Sequence, residues 1–246
     1  MSAAALANWL APRVGMDADL LARLVLALAA VLLGAAALLR TWASAYLQAS
    51  VVYAGDVKTE SLVADGPYRR VRNPLYFANM LMAVGLGALM SRAGIVVCVA
   101  AMVGFCYRLI FREEAELLAS QGEAYERYRK AVPQLWPALT PRTAPAGRRA
   151  KWADGFKAES WYWGFALAVA AFAATLNVKV FLVIMAASLG LFWVMSMAWQ
   201  KKADAASPSA PAPSKAEPDA GTQRAQRRAR LAIHGRVVAP TVLAAR

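Results

Sequence analysis

Five apolar runs decide what this chain can fold into: residues 20–39, 75–90, 93–111, 161–176 and 178–199. A helix rises about 1.5 Å per residue, so about twenty apolar residues cross the hydrocarbon layer of a bilayer. The first run is long enough as it stands; the second is short unless it begins at Pro74. Backbone polar groups in lipid must bond within their own segment, so runs of this kind fold as helices. The expectation is an all-α, polytopic membrane protein with about five transmembrane helices. Hydrophobic residues make up 59% of the chain, which a soluble domain of this length would hardly carry.

The net charge of +13 raises the question of nucleic acid. The basic residues lie between apolar spans, however, so anionic lipid head groups are the fitting partner and no nucleic acid is expected. Residues 40–73 carry five Lys and Arg, residues 112–159 carry nine, and residues 200–246 carry nine more. The other side has Arg13, Arg92 and Lys179, with Arg23 at the edge of the first span, placed to snorkel outward. Five spans with the N-terminus outside put every basic segment in the cytoplasm. That orientation predicts a protein of the inner (cell) membrane.

Residues 1–19 read as an interfacial segment without the pattern of a cleaved signal. Residues 20–200 form the membrane domain, and residues 201–246, rich in Ala, Ser, Pro and charge, form a basic tail expected to be disordered. Between the first two spans, RTWASAYLQ has Trp42 and Tyr46 at helical spacing and reads as an amphipathic interfacial piece. Cys98 and Cys106 are eight residues apart in one span, too far along a helix to bond. The single histidine, His234, lies in the tail, which argues against haem and a His-ligated metal in the membrane region.

Two polar constellations interrupt the apolar pattern. The first is GPYRRVRNPL, residues 66–75, followed by Tyr76. Asn73 and Pro74 are favoured N-cap and first-turn residues of a helix, whose free N–H groups, with Arg69, Arg70 and Arg72 beside them, suit an anion. The plainer reading makes the arginines interface anchors. The second constellation is Arg112, Glu113 and Glu114 at the exit of the third span, with Arg108 one turn earlier. Carboxylates at a helix C-terminus oppose its dipole, so either the helix continues or they have another task. They suit ribose hydroxyls or an ammonium group; the plainer reading pairs Arg112 with Glu116 at i,i+4. Further on, Leu118, Gln121, Tyr125, Tyr128 and Val132 fall on one helical face, and Pro133 and Pro137 end it.

Taken together, GPYRRVRNPLY and REEAELLASQGEAYERYRKAVP resemble the isoprenylcysteine carboxyl methyltransferase and phospholipid methyltransferase superfamily. Its pattern is Arg-His-Pro-x-Tyr-x-Gly, a hydrophobic hairpin, then a Glu-Glu pair and a helix with Gly, Tyr and Tyr. The matching residues are Arg72, Pro74, Tyr76, Glu113, Glu114, Gly122, Tyr125 and Tyr128, and the resemblance covers roughly residues 40–140. Asn73 stands in the place of the family's histidine and Ala78 in that of its glycine. Asn cannot titrate, so proton abstraction at this position is not expected.

The resemblance implies an integral membrane enzyme transferring a methyl group from S-adenosylmethionine to a lipid or lipidated acceptor that enters from the bilayer. Tyr68, Arg72, Asn73, Pro74, Tyr76, Glu113 and Glu114 would hold the cofactor in a cytoplasmic pocket. Arg108 and Arg112 would position the acceptor, an anionic one such as an isoprenylcysteine-like carboxylate being favoured because it needs no base. No metal is implied. Two other readings stay open: a membrane sterol-type reductase of the same fold using NADPH, and a non-catalytic membrane protein.

Overall fold

The computed structural model describes residues 2–47 and 64–206. Among them there are helices and no strands: α1 (Ser2–Val14), α2 (Ala18–Tyr46), α3 (Pro74–Leu86), α4 (Arg92–Gln121), α5 (Glu123–Ala131), α6 (Trp152–Ala158), α7 (Ser160–Thr175) and α8 (Val178–Ala206). Short 3-10 turns at Gly66–Arg69 and Gly87–Leu89 precede and follow α3. The expected all-α architecture is therefore what the chain adopts. Three helices, α2, α4 and α8 over Val178–Ala198, are long and apolar enough to cross a membrane. The other two expected spans are shorter apolar helices, Pro74–Leu89 and Ser160–Thr175. Most of the tail and the middle of the loop between the first two spans lie outside the described residues.

The bundle is built on α2. Asp17 caps its start, its carboxylate accepting the Leu20 N–H at 3.0 Å. The buried stripe of α2 is made chiefly of small side chains: Ala22, Ala29, Ala36, Ala37, Ala43, Ser44 and Ala45. Small residues let neighbouring backbones come close, which compensates in lipid for the weak hydrophobic drive between helices. Helices α1, α3, α6 and α7 all pack on α2. Ala78 and Met82 of α3 and Tyr162, Ala166 and Val169 of α7 complete one core with Ala29, Leu33, Ala36 and Ala37. Helix α4 packs on α3.

Three local expectations are corrected. RTWASAYLQ is not a separate interfacial piece: its residues through Tyr46 continue α2, and Thr41, Ala43, Ser44 and Ala45 are buried. Arg23 does not snorkel outward; its guanidinium donates to the Ala173 and Ala174 carbonyls, satisfying the open end of α7. The helical face from Leu118 to Val132 is broken at Gly122, whose φ of 52° with ψ of −125° favours a residue without a side chain. Beyond that break Tyr125, Tyr128 and Val132 are buried with Ala64, while Leu118 remains exposed.

The chain divides into residues 1–197 and residues 198–246, the described part of the latter continuing α8. From Val178 to Ala198 no residue of α8 is buried within the chain, consistent with a helix that faces lipid.

Candidate active site

Residues 64–73 form a collar before α3, and residues 133–151 run over it as a strap. Buried Asp65 accepts the Ala146 and Arg148 N–H groups at 2.9 and 2.8 Å. Arg72 and Asn73 donate their N–H groups to the Pro133 and Gln134 carbonyls, and Ala138 and Arg142 donate back to Arg70 and Arg69. The side chains of Arg69 and Arg70 donate to the Thr143 and Leu139 carbonyls. These two arginines fasten the strap.

Helix α3 starts at Pro74, as expected, but Asn73 does not cap it through its side chain. Its amide instead donates to Glu114 Oε1 and the Gln134 carbonyl, both at 3.1 Å. Polar side chains then recur on α3 at Tyr76 and Asn79, three and six residues on, near one helical face. The Tyr76 hydroxyl donates to Glu113, and the Asn79 Oδ1 accepts from Arg40 at 2.7 Å. Helix α4 continues past the two acids, so they lie inside a helix and not at its end.

Glu113 and Glu114 have different surroundings. Glu114 accepts from Asn73, from Gln134 Nε2 at 3.1 Å, and pairs with Arg72 Nη2 at 3.4 Å. Glu113 has one hydrogen-bond partner, the Tyr76 hydroxyl, and no ion pair among the described residues. Arg72 donates through Nη1 to the Arg129 carbonyl at 3.2 Å, yet its buried Nε has no hydrogen-bond partner among the described residues. A buried donor without a partner and a carboxylate with spare lone pairs are each costly unless something completes them.

Tyr68 is buried and its carbonyl accepts the Tyr128 hydroxyl at 2.8 Å. Burial, reinforced by Tyr128 and the Glu113 and Glu159 carboxylates, pushes the Tyr68 hydroxyl well above the ordinary tyrosine range, with Arg40 opposing. Burial likewise raises Tyr128 and pushes Tyr125 up to about 12. All three hydroxyls are neutral donors at physiological pH.

Arg108 and Arg112 are not brought to this cluster. Both are exposed, on the side of α4 that turns away from Cys106, Ile110 and Glu113, and Arg112 pairs with Glu116 at 2.8 Å. The plainer i,i+4 reading of that pair holds. A charged group that sequence reasoning missed lies deeper. Arg40 Nε is 2.6 Å from Glu159 Oε2, and its Nη2 donates to Oε1 at 3.2 Å. Ser44 also donates to Glu159 at 2.5 Å, and the Arg40 guanidinium lies 4.1 Å over the Tyr162 ring. Arg40, Asn79 and Glu159 are polar residues at the ends or middle of apolar runs, and that was the only signal available to find them.

Residues 23–121 match the family model of the phospholipid methyltransferases. The motif resemblance, read over roughly residues 40–140, is thus borne out as far as Gln121, and residues 23–121 are similar to the phospholipid methyltransferases. Two curated relatives are cobalt-zinc-cadmium resistance protein CzcN of Cupriavidus metallidurans and nickel-cobalt-cadmium resistance protein NccN of Alcaligenes xylosoxydans xylosoxydans. They are 30% and 29% identical over 101 residues, which is 41% of this chain and 44% of each relative. The chain therefore spans less than half the length of these relatives. No solved structure matches it. Together with its three long apolar helices, the methyltransferase-family segment makes this an integral membrane protein. The matched segment ends at Gln121, so α5, α6, α7 and α8 lie outside it.

Proposed function

We propose that this protein transfers a methyl group from S-adenosylmethionine to a lipid or lipidated acceptor that reaches the site from the bilayer, with the cofactor entering from the cytoplasm. The observation that carries the reading is the incomplete bonding of Glu113 beside Tyr76. A carboxylate with spare lone pairs fits ribose hydroxyls or an ammonium group, and the unpartnered Arg72 Nε fits a carboxylate. Both are groups the cofactor has. If held there, S-adenosylmethionine would supply a sulfonium methyl group for transfer to a nucleophile.

The protein's part in such a reaction is alignment. Glu113 and Arg72 would hold two ends of the cofactor, while Tyr76 orients Glu113 and Tyr68 closes the collar side. Glu114, Asn73 and Gln134 keep that collar in place. Asn73 cannot serve as a base, being an amide and already bonded on its donor side. With Arg108 and Arg112 on the outer face of α4, a carboxylate acceptor has no arginine from that pair, so the acceptor is proposed only as lipid or lipidated. The relatives' names speak of metal resistance. Among the described residues, no three of His, Cys, Asp and Glu gather to hold an ion.

Equilibrium binding of radiolabelled S-adenosylmethionine and of NADPH to the purified full chain in lipid nanodiscs tests the proposal. Saturable binding of S-adenosylmethionine, not displaced by NADPH, is expected. Binding of NADPH alone would turn the reading toward a reductase, and binding of neither would remove the enzyme assignment.

A further inference from the structure

The family match ends at Gln121, yet one of the deepest charged contacts of the molecule is made by a residue well beyond it. Glu159 stands between α6 and α7 and is 1% exposed. A carboxylate that far from water must be paired and hydrogen-bonded. Glu159 is: Arg40 approaches it through Nε and Nη2, and Ser44 donates to the same carboxylate. Both partners lie on α2, inside the matched segment.

The Arg40 guanidinium then reaches across to α3. Its Nη1 donates to Asn79 Oδ1 at 2.7 Å, and Tyr162 of α7 lies 3.3 Å from the same oxygen. A guanidinium has no acceptor, so the Asn79 amide is held with its oxygen toward Arg40. Asn79 is three residues after Tyr76 on α3, one turn from the hydroxyl that holds Glu113.

The packing explains why α6 can deliver this acid. A side chain at Gly155 would meet the Thr41 carbonyl oxygen at 2.6 Å and the Ala45 nitrogen at 3.0 Å, so the glycine allows α6 to lie directly on α2. Lys151 N–H donates to the Ala45 carbonyl at 2.7 Å, closing the exit of α2 just before α6.

We propose that Glu159 is a positioning residue for the cofactor site: through Arg40 and Asn79 it fixes the turn of α3 that carries Tyr76, so α6 and α7 belong to the functional unit although the family match excludes them. The inference rests on the reading of that site as an S-adenosylmethionine site. Nothing in it requires Glu159 or Arg40 to touch the cofactor.

The test is equilibrium binding of S-adenosylmethionine to the full chain in nanodiscs, paired with thermal unfolding of each sample. Asn79→Ala removes the link to α3 while leaving the Arg40–Glu159 pair and Ser44 intact. It should weaken binding about tenfold with the unfolding transition retained, as loss of one charge-assisted hydrogen bond would. Asn79→Asp keeps an acceptor for Arg40 and should restore binding to within about threefold of the parent. Glu159→Gln should weaken binding in the same direction as Asn79→Ala. If Asn79→Ala and Glu159→Gln bind as the parent does while Glu113→Gln does not, the positioning role is refuted and the site stands. If the parent itself fails to bind, both fall together. A variant that loses binding only in proportion to its unfolded fraction refutes positioning in favour of a purely structural pair.

Discussion

Glu113 and Glu114 are adjacent in sequence and end in two unlike regions. Glu114 turns to the collar and strap, where Arg72, Asn73 and Gln134 supply donors from α3's entrance and from the strap. Glu113 turns along α3, where a single tyrosine hydroxyl meets it. Both are carboxylates on one helix turn, so the difference comes entirely from what the tertiary fold brings to each. A saturated carboxylate ties elements together and has little left for a ligand; one with a single neutral partner keeps its capacity for chemistry. Two acids of the same motif thus have different surroundings, Glu114 tied into the collar and Glu113 left with the capacity that the proposed cofactor site requires.

The largest effect that would break this comparison is expected at Glu114. Glu114→Ala leaves the partly buried Arg72 charge and two amide donors without their acceptor, and removing one partner of a buried pair costs about 3–5 kcal/mol. Denaturant unfolding in detergent should show that loss, and a variant as stable as the parent would mean the collar does not depend on Glu114. Next in size is Gly155→Ala, which sets a methyl against the α2 backbone and should cost about 1–3 kcal/mol by overpacking. Because α6 carries Glu159 at its end, binding should fall with it while the Glu114 collar is untouched; unchanged stability would show that α6 has room to move.

Tyr128→Phe is smaller, about 1 kcal/mol, for the lost bond to the Tyr68 carbonyl. Its pH dependence sharpens the point. Tyr125 and Tyr128 are raised in the folded protein, so folding favours their neutral forms. Their contribution is full below the ordinary tyrosine pKa of about 10 and is lost as pH rises from there toward the folded values. Unfolding followed between pH 9 and 12 should show a steeper alkaline decline in the parent than in Tyr128→Phe. The smallest effects belong to Arg108→Ala and Arg112→Ala, each expected within about 0.5 kcal/mol in stability, with binding unchanged. A marked loss of binding in either would return the outer face of α4 to the site.

Much of the fold is legible in the sequence because apolar runs in lipid have few alternatives. All five runs are helices, and the Asn73–Pro74 start and the Glu113–Glu114 region proved to be where the chain brings polar groups together. What sequence could not supply was partnership across the bundle. Arg69 and Arg70 look available until the strap's carbonyls are placed beside them, and Asn73 looks like a cap until Glu114 is placed beside it. Arg40 and Glu159 are 119 residues apart, and neither has a local pattern that names the other. Their pairing follows from small side chains on α2 and Gly155 on α6, which allow a close approach that periodicity does not encode.

Glu113, and not Glu114, is the acid proposed to meet the cofactor. The deciding measurement is S-adenosylmethionine binding to Glu113→Gln in nanodiscs, with the folded fraction measured on the same sample. Loss of a charge-assisted hydrogen bond predicts affinity reduced about ten- to hundredfold with the unfolding transition close to the parent's. Parent-like affinity in a folded Glu113→Gln sample would mean that Glu113 does not hold the cofactor.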